Sequence, residues 1–199
     1  MKTAHLNGTK VIGKMTHSQF VKFCQSRNNE LDCHRYEHLA NGTIVAEEAA
    51  GGSSGKRESE SIFEVQLWNV RTNANGTVFS SSTGFKLPNG ATRSPDSAWL
   101  SNEKYNQLSN EDKEKFLPLC PEFIIEIRSK SDSLQKLLTK MQEWKDNGCV
   151  LGWLIDPYQL KSYIFRKDIP RYEIVEGFDR HLSGEDLLIG FMMDLRLLK

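Results

Sequence analysis

The sequence predicts an α/β fold: a central mixed β-sheet flanked by helices, with a hairpin added at one edge and a C-terminal meander at the other. Three stretches carry that expectation. Residues 93–101, "RSPDSAWLS", alternate like a strand. Residues 121–129, "PEFIIEIRS", hold Phe123, Ile124, Ile125 and Ile127, a run apolar on both faces, as a buried central strand requires. Residues 131–147 put Leu134, Leu137, Leu138, Met141 and Trp144 on one helical stripe, stop at Gly148, and lead into the strand "CVLGWLIDP".

The remaining elements follow in chain order. "THSQFVKFCQSR" predicts a short helix capped by Thr16. Asn-Gly pairs at Asn7, Asn41 and Asn75 accept the positive φ of tight turns, and Asn41-Gly42 joins "RYEHLA" to "TIVAEE" as a hairpin. "AAGGSSG", residues 49–55, predicts a flexible loop feeding a helix from about Lys56 to Thr72, with Ile62, Val65 and Trp68 facing inward. "TVFSSSTGFKLPNG" is strand-like, with a second turn at Pro88-Asn89-Gly90. A polar helix capped by Ser109 spans about Asn110 to Phe116. "KSYIFRK" and "RYEIVEG" extend the strand after Gly148 into a meander, and "LSGEDLLIGFMMDL" closes the chain. No repeat and no linker divides it, so one domain is expected over 1–199, with a core at about 56–157.

Lys plus Arg equals Asp plus Glu at 26 each, which excludes the broad basic footprint of many DNA-binding domains. Any phosphate contact must then come from a local site. The apolar run Leu187–Met193 is broken by Gly190 and too short to span a bilayer, and no basic-then-apolar leader opens the sequence. The expectation is a soluble, cytoplasmic protein. Four scattered cysteines read as reduced thiols. Cys24, Cys33, His34 and His38 crowd loosely, but adjacent Cys33 and His34 make an awkward zinc chelate. "GGSSGKR" lacks P-loop spacing, and Arg57 stands where Ser or Thr would meet Mg²⁺.

Two carboxylates are out of place among these elements. Asp96 shares the strand face of Ala98 and Leu100, and Glu126 sits inside the apolar run thirty residues later. A charge left unpaired in such a strand costs several kcal/mol. Glu58 lies four residues before Ile62 and seven before Val65, on the inward stripe of its helix, whereas Glu60 and Glu64 point elsewhere. Asp96, Glu126 and Glu58 together offer the oxygen donors a hard cation such as Mg²⁺ or Mn²⁺ takes, with water or phosphate completing its shell. Arg128, two residues past Glu126, can hold a phosphate but cannot act as a base. Lys140, at the edge of the apolar stripe of its helix, can reach back toward the same face and stabilise charge on phosphorus.

"SPD" followed by "EIR" resembles the PD-(D/E)XK nuclease motif, whose family fold is the restriction-endonuclease-like core. More closely, "SSTGFKLPNGATRSPDSAWLS", "CPEFIIEIRSKSDSLQKLLTKMQEW" and "NGCVLGWLIDP" resemble the Uma-two family of that superfamily, over about Arg35 to Leu195. The resemblance implies a Mg²⁺-dependent endonuclease acting on DNA, and a homodimer. It assigns Asp96 and Glu126 as metal ligands. Arg128 occupies the slot of the motif's lysine, a departure, and Lys140 stands where superfamily members relocate that amine. Glu58 matches the polar residue that the first core helix presents. Glu37 in "RYEHL" also fits a family position, but a glutamate on a rim hairpin is more often structural and is left outside the site.

Plainer roles stay open for each residue. Asp96 after Pro95 can be a turn former, Glu126 can pair with Arg128 or Lys140 as a buried ion pair, and Glu58 can be a helix-start acid favoured by the dipole. At the level of function the alternative is a catalytically inactive binding or assembly module on the nuclease fold.

Overall fold

The computed structural model describes residues 4–6, 9–26, 35–47 and 49–199; Asn7, Cys33 and His34 lie outside the described residues. From the N-terminus, β1 (Ala4–Leu6) and β2 (Thr9–Lys14) form an antiparallel pair. Helix α1 (His17–Gln25) starts at Thr16, whose side chain and that of Gln19 close a reciprocal capping box, and it buries Phe20. Strands β3 (Arg35–His38) and β4 (Thr43–Glu47) make the expected hairpin, with Gly42 at φ +83°. Then come α2 (Gly52–Arg71), β5 (Gly76–Ser80), β6 (Phe85–Lys86), β7 (Thr92–Arg93) and β8 (Ser97–Ser101). The short helices α3 (Asn102–Asn106) and α4 (Asn110–Lys113) lead to β9 (Phe123–Ile127), α5 (Leu134–Asp146) and β10 (Leu151–Asp156). Strands β11 (Lys161–Arg166), β12 (Glu173–Glu176), β13 (His181–Ser183) and β14 (Met192–Asp194) and a final 3₁₀ turn, Leu195–Leu198, complete the chain.

The central sheet runs β12-β11-β10-β9-β8-β5. Its β9–β10 pair is parallel and joined by α5, while the other pairs are antiparallel, so the sheet is mixed as expected. Phe123, Ile125 and Ile127 pack on one side with Val65 and Trp68 of α2 and with Phe178, Phe191 and Leu195 of the C-terminal segment. On the other side Ala98, Ile124 and Leu154 meet Met141 and Trp144 of α5. Gly152 leaves room for the Met141 methyl, which a Cβ there would meet at 2.7 Å.

Three expectations change. The loop at 49–55 is partly helix, since α2 begins at Gly52. Glycine and serine propagate a helix poorly, but Arg57 anchors that end through the Leu198 carbonyl at 2.8 Å and stacks over Tyr158, and tertiary contacts outweigh propensity. Residues 93–101 are two strands, because Pro95 cannot donate to a ladder and Ser94-Pro95-Asp96 passes the chain from one sheet to the other. The N-terminal hairpin belongs to a second six-stranded sheet, β1-β2-β4-β3-β7-β6.

Candidate active site

Asp96 and Glu126 meet where the β8–β9 ladder ends. The register Ala98↔Ile124, Ser97↔Ile125 places them opposite one another at the next step, on the face of Ala98 and Ile124. The Ile127 N–H donates to Asp96 Oδ2 at 2.7 Å. Glu126 is 3 % exposed and the Asp96 side chain 14 %. Lys140, from the second turn of α5, is the third member. Its Nζ lies 2.9 Å from Glu126 Oε1, 3.0 Å from Glu37 Oε1, and donates to the Ser94 carbonyl at 3.1 Å. These three partners use the three donors of an ammonium. The Trp144 indole N–H donates to Glu126 Oε1 at 3.1 Å.

Three further residues that the sequence reading left out complete the cluster. Glu37, 1 % exposed, accepts from Arg93 at 2.8 Å and from the Ser94 N–H at 3.0 Å. Arg93 also holds Glu143, with Nε at 2.7 Å. Arg35 holds Glu47, with Nε at 2.8 Å, and lies 3.8 Å from Asp96 Oδ1. A sequence signal for Glu37 existed: it pairs with Val45, inside the continuous apolar run of β4, which marks a buried rather than a rim position. Arg35 and Arg93 carried no such signal, since their partners come from other elements.

The sequence-expected residues sort as follows. Asp96, Glu126 and Lys140 come together. Glu58 borders them: it accepts from the Ser81 hydroxyl, and its charge acts on Asp96. Among the described residues no three His, Cys, Asp or Glu side chains converge to hold a metal, so Glu58 does not form a three-carboxylate cluster with Asp96 and Glu126. Ser81 holds it on the α2 side. Arg128 turns away from the acids and donates to Asp156 Oδ2 at 2.7 Å and to the Asp132 carbonyl at 3.1 Å. Its slot in the motif therefore brings no cation to Asp96 or Glu126.

Electrostatics separate the carboxyls. Burial pushes Glu126 up to about 8, against the pull of Lys140 and with repulsion from Asp96 and Glu37. Burial likewise raises Asp96 to about 6, opposed by Arg35 and the Ile127 N–H. For Glu37 burial is outweighed by Lys140, Arg93 and Arg35, and the group falls to about 2. Lys140 is held charged: burial acts against the ammonium, but Glu126 and Glu37 raise it well above its ordinary value. Among the described residues, Glu37, Glu47, Asp96, Glu126 and Glu143 form their ion pairs with Arg35, Arg93 and Lys140. This surplus of buried acid fits a divalent cation, which commonly takes one or two protein carboxylates and fills its shell with water or phosphate.

A solved structure from Anabaena variabilis, described as "a putative nuclease belonging to DUF820", superposes with a TM-score of 0.74 at 18% identity, covering 92% of this chain and 97% of that one. Residues 18–196 match the model of the Uma2 family, described as "Putative restriction endonuclease", and the chain belongs to that family. No curated protein matches. Among the described residues no helix is long and apolar enough to cross a membrane.

Proposed function

We propose that the protein is a Mg²⁺- or Mn²⁺-dependent endonuclease of the PD-(D/E)XK type that hydrolyses DNA phosphodiester bonds at Asp96, Glu126 and Lys140. One observation carries the reading: a buried ammonium stands 2.9 Å from Glu126 at the strand end where Asp96 also lies, in a chain of the family described as "Putative restriction endonuclease". Asp96 and Glu126 would hold the cation, with Glu58 close enough to act on it through Asp96. A bound divalent ion polarises the phosphodiester and lowers the pKa of an attacking water. Lys140, locked in its charged form, cannot take a proton from that water; it stabilises the negative charge that grows on the phosphate oxygens. Glu37 and the Ser94 carbonyl fix the direction of its donors, and Arg35 with Glu47 fixes the Asp96 side of the site.

Nicking of supercoiled plasmid with Mg²⁺ or Mn²⁺ tests this. The chain is expected to nick, Glu126→Ala to abolish nicking, and Asp96→Ala to abolish Mg²⁺ binding in calorimetry. Arg128 in the lysine slot, committed to Asp156, favours a second reading: a nuclease-fold binding module without turnover. Mg²⁺ binding with no nicking of any DNA would select it. In either reading a homodimer is the expected assembly, which sedimentation tests.

A further inference from the structure

A cavity of about 400 Å³ opens between the β3–β4 hairpin and the first half of α5. Glu37 and Lys140 belong to its lining, and Lys140 is the residue that reaches Glu126. A group entering the cavity therefore stops one side chain from the candidate reacting centre. Leu39 and Val45 line it from the hairpin and Leu137 from α5, while Ser131 and Gln135 supply a hydroxyl and an amide.

These walls are wrong for a sugar–phosphate chain. Leu39, Val45 and Leu137 satisfy no phosphate oxygen, and the charged groups deepest in the lining are already paired: Glu47 with Arg35, Arg93 with Glu37 and Glu143, and Lys140 with Glu37 and Glu126, while Asp132 and Lys136 line it from the start of α5 and the loop before it. A flat heteroaromatic ring suits them, its faces against aliphatic carbon and its edge toward an amide and a hydroxyl. The volume lies within the range of about 300–1,000 Å³ that seats small ligands. A base inside a duplex is stacked and cannot enter; it must first leave the helix.

We propose that this cavity seats one unpaired nucleobase of the substrate, so that the protein acts on single-stranded or locally opened DNA. The identity of the polymer rests on the nuclease reading. The test is fluorescence anisotropy of a labelled single-stranded oligonucleotide and of its duplex, with Mg²⁺, using the whole chain and the cavity-filling variants Leu39→Trp and Leu137→Trp, whose folding is checked by thermal melting. The single strand should bind about tenfold tighter than the duplex, and both variants should lose that preference. Equal affinity for strand and duplex, no binding of either, or a preference that survives both substitutions overturns the inference. The two readings fail separately. Strand preference lost in both variants, with no cleavage of any DNA, keeps the cavity's role and sinks the nuclease; cleavage of duplex with no strand preference does the reverse.

Discussion

The α5-facing side of the central sheet carries two buried charged groupings, and they are organised differently. Around Asp156 one guanidinium meets one carboxylate: Arg128 takes Oδ2 at 2.7 Å, and the N–H groups of Tyr158 and Gln159 take Oδ1 at 3.0 and 3.1 Å. That carboxylate ties the β10–β11 turn to the strand before it, and its charge is balanced. Around Glu126 the acids outnumber the cations, and burial together with repulsion lifts Glu126 to about 8 and Asp96 to about 6. A balanced pair explains itself as architecture. A cluster that stays short of positive charge, even with Lys140 inside it, is the arrangement that the proposed cation would relieve.

The largest effect is expected at Lys140. Lys140→Met leaves Glu126 without its cation and Glu37 with Arg93 alone, and should cost about 3–5 kcal/mol in urea unfolding above about pH 8, where Glu126 is ionised. Nicking should vanish with it. A loss well under 1 kcal/mol would show that the cluster does not depend on its ammonium.

The pH profile is the next largest effect. Glu126 binds its proton more tightly folded, at about 8 against an ordinary 4.5, so its contribution to stability is fully present below 4.5 and is lost as pH rises through about 8. Asp96 does the same between 3.8 and about 6. Glu37 has the opposite sign: its contribution is present above 4.5 and is lost as pH falls through about 2. In a chelator the melting temperature should therefore fall from about pH 5 to about pH 9, and Mg²⁺ should offset the fall while releasing protons. Glu126→Gln should flatten the profile above about pH 6. A profile indifferent to Mg²⁺ would place no cation between the acids.

Much of this contrast was legible in the sequence, and the unread part has one cause. Glu126 inside Phe123–Ile127 and Asp96 beside Ala98 are visible because an apolar alternation exposes any polar intruder, and Lys140 is visible because the α5 stripe fixes its azimuth. The same logic placed Arg128 on the face of Glu126 but could not say which acid it meets. That depends on Asp156, which the parallel β9–β10 register brings alongside from another strand. Arg35 and Arg93 were missed, and Glu37 was set aside as a rim residue, because they come from a second sheet that the crossing at Ser94-Pro95-Asp96 lays against the first. Spacing along the chain reveals a face; partners across sheets need the topology.

Arg128→Met sharpens the balanced side. Asp156 keeps its two backbone donors when the guanidinium is gone, so the loss should be about 1–3 kcal/mol, below that of Lys140→Met. Calorimetry should find Mg²⁺ affinity unchanged. A marked drop would mean that Arg128 and Asp156 belong to the metal-binding side after all, and the division drawn here would fail.

The smallest expected effect lies at Glu58, which borders the surplus without being locked into it. A glutamine there still accepts from the Ser81 hydroxyl, so stability should stay within about 0.5 kcal/mol. The charge is what changes. Glu58 raises Asp96 by repulsion, so Glu58→Gln should move the Asp96 step of the melting profile to lower pH and leave the Glu126 step in place. Mg²⁺ calorimetry then separates its two roles. If Glu58 acts only through the field at Asp96, affinity at high pH, where Asp96 is ionised in both proteins, is equal; if Glu58 is itself a ligand, affinity drops at every pH, and the cluster gains the third carboxylate on binding its cation.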